Sequence, residues 1–512
     1  MTAAALVHSA HNRLDRLFDA LTDPVRCERT MAAVLAGYVA VWSLYAAIAK
    51  SSQDIHTDMG EIVAWSRDAG LGTPKHPPLA AWLVRGWFAV MPRQDWAYYL
   101  FAMLVATAAL WITWRLAARY LPPDKRVVGI VLLTLVPFYN FHAMKFNANT
   151  VLTPLWALAT WWFLRSFETR RIGWAALAGI AAAATMWGKY WSVFLLAGLG
   201  VAALTDPRRD AYFSSPAPYV TLAVGTVCLT SNIDWLIVHQ FMPLGYAIET
   251  HPASYWFAAI SALYFIGGVL CYVAAPTVLT LFVARPGFAA IADTLWPADP
   301  QRRMLVVALA MPFVFAMATG MALPIALETL WAIPMLALFP IVLLASPLLV
   351  IPRRAAVALL TFAVGFPVFM LAVSPLVAVA IHRSGVPSFG GDYALVARAV
   401  ERDWRAATDR PLRIAGGTTL VNSIAFYLPD RPSVFNLDQP SRTPWIGDDR
   451  IRRDGMAMVC EEPEPFCMRT LHGFAARYNA TVDEYIVVSR RYLGIAGMPH
   501  RYEIAIIPPH QP

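Results

Sequence analysis

Charge is what this chain has least of. Only 14% of its 512 residues are Asp, Glu, Lys or Arg, against 58% hydrophobic, and the mean hydropathy is +0.50. That balance excludes a soluble globule. The formal net charge of +8 is no footprint of nucleic-acid binding, because the Arg and Lys residues sit in short loops between apolar runs. No cleavable leader is expected either: the first 29 residues mix charged and polar side chains, so the first apolar run is expected to serve as an uncleaved anchor. No internal repeat and no low-complexity tract is visible.

Apolar runs long enough to cross a hydrocarbon core of about 30 Å fill the rest. Spans are expected at about 30–49, 97–118, 127–142, 149–165, 172–188, 190–205, 217–232, 256–283, 304–322, 328–350 and 355–380. Loop charges test that layout. Arg13, Arg16, Arg26 and Arg29 precede the first span; Arg115, Arg119, Lys125 and Arg126 follow the second; Arg165, Arg170 and Arg171 follow the fourth. Arg208 and Arg209, then Arg285, Arg302 and Arg303, then Arg353 and Arg354 continue the series at every second loop. The alternation predicts a cytoplasmic N-terminus and an odd number of spans, about eleven. Residues 172–205 are the tightest fit, two short spans with a turn near Trp187-Gly188-Lys189.

The first outer loop, 50–96, breaks the pattern. It holds Lys50, Arg67, Lys75, Arg85 and Arg93, an excess that an anionic ligand would explain. Within it, Leu79 to Met91 is apolar and aromatic but too short to cross, and is expected to lie in the interface.

Composition shifts near Ile381, opening a tail of roughly 130 residues, large enough for its own core. Strands are expected at Leu412–Gly416, Ser433–Leu437, Met456–Cys460, Tyr485–Ser489 and Tyr502–Ile507. Helical patterns at Tyr393–Ala406 and Met468–Tyr478 alternate with them, as in a small α/β domain. The odd span count places this domain outside the cytoplasm. There Cys460 and Cys467, seven residues apart, can pair, or else remain two free thiols. Cys27, Cys228 and Cys271 read as apolar filler. The expected organisation is thus an N-terminal cytoplasmic segment 1–29, an all-α polytopic membrane bundle over 30–380, and an extracytoplasmic α/β domain over 381–512.

Polar chemistry gathers just past the first span. The block Gln53-Asp54-Ile55-His56-Thr57-Asp58-Met59-Gly60-Glu61 is followed by Lys75-His76-Pro77-Pro78-Leu79. Charges this close to hydrocarbon are costly and mark a functional site by default. Other outer span ends add Asn147 and Asn149, Lys189 and Tyr190, and Asp234. A cavity holding a carboxylate and several cations suits an anionic lipid substrate: the acid serves as general base and the cations neutralise a phosphate leaving group.

From Asp58 through His76-Pro77-Pro78-Leu79-Ala80-Ala81-Trp82 the chain resembles the first outer loop of bacterial glycosyltransferase family 39. These GT-C type membrane enzymes include protein O-mannosyltransferases and the lipid A aminoarabinose transferase. Similar segments recur at Phe146-Asn147-Ala148-Asn149, at Gly188-Lys189-Tyr190, and in the eleven-span, GT-C-like layout. The resemblance covers most of residues 30–380, the tail only in a subset of members. It implies an inverting transfer of a sugar from a polyprenyl-phosphate donor. Asp58 would deprotonate the acceptor, with Glu61 on the same helical face as a possible second acid. Lys75, His76 and Lys189 would hold the donor phosphate. Two departures stand out: Met59 where many members have Glu, and Asn149 where many have Asp. No required metal is therefore expected; a divalent ion is unsupported.

Each residue has a plainer reading. Asp58 can cap a helix starting near Met59, Lys189 can snorkel from a short span, and Asn147 or Asn149 can satisfy backbone at a span end. Asp234 reads first as a loop carboxylate. Two rival functions remain, a lipid-linked substrate transporter or flippase and a non-catalytic membrane assembly protein. The first calls for mid-membrane ionisable residues and two related halves, neither of which is visible here. The acceptor, whether lipid, glycan or protein, is not specified by sequence, and the expected setting is a bacterial inner membrane.

Overall fold

The computed structural model describes residues 3–68, 70–384, 391–482 and 485–510. Among the described residues six helices are long and apolar enough to cross a membrane: Cys27–Ala49, Asp95–Ala117, Ala217–Val238, Tyr255–Ala284, Pro300–Ala322 and Arg353–Ser384. Shorter apolar helices include Leu79–Val90, Ile172–Gly188 and Tyr190–Thr205. The chain divides into two compact units. One comprises residues 1–43, 75–77 and 100–371; the other comprises 44–74, 78–99 and 372–512.

In the first unit, small residues set the helix spacing, as they do where lipid gives no hydrophobic drive to association. Gly179 on the Ile172–Gly188 helix lies so close to Ala217–Val238 that an added Cβ would fall 2.6 Å from the Thr221 carbonyl oxygen. Gly198 meets Pro312 in the same way, at 2.9 Å. Two expected spans are shorter or broken. The third ends at Thr134 and passes into a 3₁₀ turn at Pro137–Tyr139. The tenth, expected over 328–350, is a 3₁₀ segment Thr329–Leu336 followed by a short helix Phe339–Leu344. Pro334 and Pro340 supply the reason, since each removes a backbone donor and crowds the preceding turn.

The loops that share basic charge are tied to each other. Arg126 donates to Glu28 at 2.8 Å and stacks on Trp114 at 3.4 Å, and Arg115 reaches Glu28 at 3.3 Å. Glu168 receives Arg119, Arg165 and Gln301. Asp293 joins Arg302 to Ser346, whose carbonyl takes Lys125 at 2.7 Å. These contacts gather the arginine-bearing loops at one end of the unit. Preceding them is a helix, Ala3–Thr22, in the segment that sequence treats only as mixed and polar.

The second unit is an α/β fold. Strands β1 (Ile414–Gly417), β2 (Ser433–Asn436) and β3 (Met456–Glu462) lie in the order β2-β1-β3, all parallel. Next, β4 (Thr481–Val482) and β5 (Ile486–Val488) both pair antiparallel with a later strand. β6 (Arg491–Tyr492) and β7 (Ile495–Ala496) form a separate ribbon. That later strand, β8 (His500–Ile507), runs antiparallel to β3. Helices Tyr393–Ala407 and Thr419–Tyr427 cover one sheet face, and the cluster there includes Ala64 from the first loop. Pro465–Tyr478 covers the other face, where Cys460 and Cys467 form a disulfide. Sequence periodicity misses the Thr419–Tyr427 and Asp448–Asp454 helices, nine and seven residues long.

Loop and tail therefore share one core. The helix Thr57–Asp68 packs on Thr419–Tyr427 at Gly60, where a Cβ would lie 2.7 Å from the Ser423 Cα. No side chain fits there without moving backbone. Gly60→Val is expected to destabilise the full-length protein by about 1–3 kcal/mol, read as a lower thermal midpoint in detergent. Gly86→Ala, whose Cβ meets nothing within 4 Å, leaves that midpoint unchanged or slightly raised.

Candidate functional site

In the first unit the chemistry starts from a broken helix. Ile172–Gly188 stops at Lys189, whose backbone is extended (φ −165°, ψ 138°), and a 3₁₀ turn Tyr190–Ser192 leads into the next helix. Gly188 permits the close approach this needs: its Cβ would strike Leu152 at 2.6 Å. The break is internally satisfied. Ser192 Oγ donates to the Thr185 carbonyl at 2.9 Å and accepts from Trp156 Nε1 at 3.0 Å. Lys189 Nζ then donates to Asn149 Oδ1 at 2.7 Å and lies 5.3 Å from the Trp331 ring centre and 5.9 Å from that of Trp191.

Asn147 orders the segment that presents Asn149. Its Oδ1 accepts from the Asn149 and Thr150 backbone at 2.9 and 3.1 Å, a side-chain turn typical of Asn. Tyr190 donates to Asn232 Oδ1 at 3.2 Å. Asn232 is buried while Asp234, two residues on, is exposed. Sequence reasoning thus picks the acid and misses the amide, although an Asn inside an apolar run was the available signal.

Two more basic residues converge near Lys189. Lys75 lies 5.4 Å from the Tyr246 ring centre. His251 packs edge-on against Trp331 at 5.0 Å, held there because residues 251–253 pair with 324–326. Burial lowers the His251 pKa from its ordinary value, Lys189 and Lys75 lower it further, and Glu328 opposes them. Lys75 and Lys189 both bear on His251 from different segments. His76, half-buried, belongs to the same unit. The Lys189 group and the Glu168 group sit at opposite ends of Leu152–Thr169, about 27 Å apart by helix rise.

The second unit holds the acids. Asp58 stands in the first turn of Thr57–Asp68, where the helix dipole favours the ionised carboxylate. Its backbone N–H donates to His56 Nδ1 at 3.0 Å. Asp58 is about a third exposed (36%) and its Oδ1 is 3.8 Å from that ring nitrogen. Tyr98 fixes the same turn by donating to the Met59 carbonyl at 3.1 Å. Glu61 is half-buried one turn later.

Asp54 has a different task. Burial raises its pKa, and the Arg490 guanidinium, hydrogen-bonded to it, works against that rise; Ala394 N–H adds a bond at 3.0 Å. Close by in the chain, Ile55 N–H donates to the Tyr427 hydroxyl, which donates to Asp95 at 3.0 Å. These ties lock the polar block onto the tail. They also reassign two loop cations expected to meet an anionic ligand: Arg67 donates to Ser433 Oγ at 3.3 Å, and Arg93 to the Ala425 carbonyl at 3.1 Å. Among the described residues no group of three or more His, Cys, Asp or Glu side chains is placed to hold a metal ion.

Comparison with known proteins agrees with the sequence resemblance. The family model described as dolichyl-phosphate-mannose-protein mannosyltransferase matches residues 75–235. Over 190 residues the chain is 24% identical to the lipid A galacturonosyltransferase RgtD of Rhizobium johnstonii; the match spans 36% of this chain and 39% of that protein's length. Its fold is that of ArnT from Cupriavidus metallidurans. The crystal structure of ArnT bound to undecaprenyl phosphate aligns with a TM-score of 0.64 at 12% identity, over 94% of this chain and 99% of that one. The apo structure aligns at 0.58, over 93% and 99%. The chain thus resembles the GT-C glycosyltransferases in sequence and shares the ArnT fold.

The basic group in the first unit makes a direct prediction. His251 is expected to titrate below about 6.5, and removing a neighbouring cation in Lys189→Gln raises its midpoint. Histidine-selective NMR of the full-length protein reads both; an unmoved midpoint separates the two residues.

Proposed function

We propose that this protein is a membrane glycosyltransferase that moves a sugar from a polyprenyl-phosphate carrier to an acceptor outside the cytoplasm, with inversion. The observation that carries the reading is the placement of Lys189 and His251, from distant segments, against the Trp331 ring, with Trp191 beside Lys189 and Lys75 over the Tyr246 ring. A basic group walled by indoles suits a phosphate attached to an apolar chain. The shared fold with an ArnT bound to undecaprenyl phosphate supports the same donor class.

In this mechanism Asp58 takes the proton of the acceptor hydroxyl as that oxygen attacks the anomeric carbon. The anomeric carbon–oxygen bond to phosphate breaks, and the polyprenyl phosphate departs with the electron pair. Lys75, His76 and Lys189 hold its charge as it develops, while Glu61 assists as a neighbouring acid. A single displacement inverts the anomeric centre. Tyr190, Asn147 and Asn149 position Lys189 and its surroundings. No metal is assigned a role.

The topology we infer has eleven crossings, a cytoplasmic segment 1–29, a membrane domain 30–380 and a periplasmic domain 381–512. Support comes from the arginine-bearing loops that meet at one end of the first unit. The Cys460–Cys467 disulfide suits an oxidising compartment.

Asp58→Asn is expected to cut turnover by about 10²–10⁴-fold with donor binding retained, measured on purified protein with a labelled polyprenyl-phosphate sugar. Lys189→Gln acts on the other step, weakening donor binding about tenfold or more, the cost of one charged hydrogen bond. Full activity in Asp58→Asn would overturn the assignment. Mass spectrometry of envelope lipids and glycans, with and without the gene, identifies the sugar and acceptor by the mass that disappears.

A further inference from the structure

Away from that site, starting about one turn inside the end of the first unit where the arginine-bearing loops meet and running along the helices to Val41, Thr134 and Val368, the bundle contains a partly open cavity of about 250 Å³. It lies between the N-terminal helix Ala3–Thr22 and the helices Cys27–Ala49, Pro123–Thr134 and Arg353–Ser384. Leu17 and Leu21 close one side, and Gly37, Val131 and Pro367 line others. Two hydroxyls face the region, and both are committed. Tyr38 donates to the Tyr139 carbonyl at 2.8 Å and Thr134 to the Val131 carbonyl at 2.7 Å. With both hydroxyl protons committed and the remaining wall apolar, the space offers too few polar partners to hold an ordered water, and a dry apolar void of about 150 Å³ already accepts benzene. Left empty it would forfeit the dispersion contacts of its walls. Hydrocarbon is the filling its chemistry selects.

The rim says which hydrocarbon. Arg13 lies on the same stripe of its helix as Leu17 and Leu21, at i, i+4 and i+8, and is exposed, as are Arg16, Arg29 and Arg354. Arg353 pairs with Asp19 at 2.7 Å and Asp15 at 3.6 Å, and packs over Phe18. Arg26 is taken by Asp23, and Glu28 by Arg115 and Arg126. Cations outnumber acids at this edge once those pairs are made. In a bilayer an apolar pocket gives a lipid tail little preference over its neighbours, so selectivity must come from the headgroup, and basic side chains at a membrane surface select anionic lipids.

We propose that the cavity holds an acyl chain of one anionic phospholipid, whose phosphate rests against Arg13 and Arg16. The carrier lipid assigned above is a poor occupant, because Lys189 and its neighbours lie at the other end of the helices. The site fixes the N-terminal helix to the bundle and is independent of the transfer chemistry.

Gly37 offers the test, since a Cβ there meets nothing within 4 Å and a larger side chain would grow into the cavity. Native mass spectrometry of the full-length protein, released from mild detergent, is expected to show one retained phosphatidylglycerol-class lipid per chain. Gly37→Phe should lower that occupancy several-fold while keeping the helical circular dichroism. The exposed pair Arg13→Gln/Arg16→Gln should abolish the preference for anionic over zwitterionic phospholipid in added mixed vesicles. The proposal falls if the wild-type protein retains no stoichiometric phospholipid, if the retained species is a polyprenyl phosphate, or if a folded Gly37→Phe holds as much lipid as wild type. Should Gly37→Phe not fold, the wild-type measurement and the arginine pair decide. Transfer activity in Gly37→Phe reports separately on the glycosyltransferase reading.

Discussion

A helix in lipid can stop only where something other than water takes over its freed backbone groups. The break at Gly188–Lys189 meets that requirement. Ser192 closes on the Thr185 carbonyl, Trp156 closes on Ser192, and Gly188 lets the neighbouring helix come within contact of its backbone. Because the break is paid for locally, Lys189 is free to leave the helical path and reach Asn149 and the two indoles. An amide oxygen takes its hydrogen bond without cancelling the charge, and a ring face attracts an ammonium while excluding water. The result is a basic group suited to a phosphate at the edge of hydrocarbon.

The two ends of the first unit handle charge differently. At one end, arginines meet Glu28, Glu168 and Asp293 in close pairs, which bind loops together. At the other, Lys75, Lys189 and His251 come near each other, and the histidine is held toward its neutral form. Like charges gathered in a part-buried place cost free energy, and such sites are where function is commonly found. In the second unit the same logic separates Asp54 from Asp58. Asp54 is buried against Arg490 and holds the fold together; Asp58 stands at a helix start, partly open to solvent.

Much of this was legible beforehand. Apolar length located nearly every long helix, and two short spans with a turn near 187–189 were readable because basic residues on the same side at both ends of 172–205 require an even number of crossings. Strands Ser433–Asn436 and Met456–Glu462 were readable from their β-branched and apolar runs. Proline content, read as span interior at 328–350, instead broke the helix. Asn232 was passed over in favour of Asp234 because sequence reasoning weights charge, whereas a buried hydrogen bond needs only a carbonyl oxygen. The short helix Thr419–Tyr427 escaped because a nine-residue, largely apolar run carries the same pattern in a helix or a buried strand.

Sequence alone determined the class of protein, since hydropathy over twenty residues and the bias of loop charge are local properties that survive any packing. It also singled out Asp58, Lys75, His76 and Lys189, because ionisable groups beside hydrocarbon are rare enough to notice. Tertiary structure alone decided that the first loop shares a core with the tail, through Gly60 on Ser423 and Tyr427 on Asp95, and that Arg67 and Arg93 serve that core. Contacts across more than three hundred residues depend on which surfaces fit, and no local pattern in the chain encodes that fit.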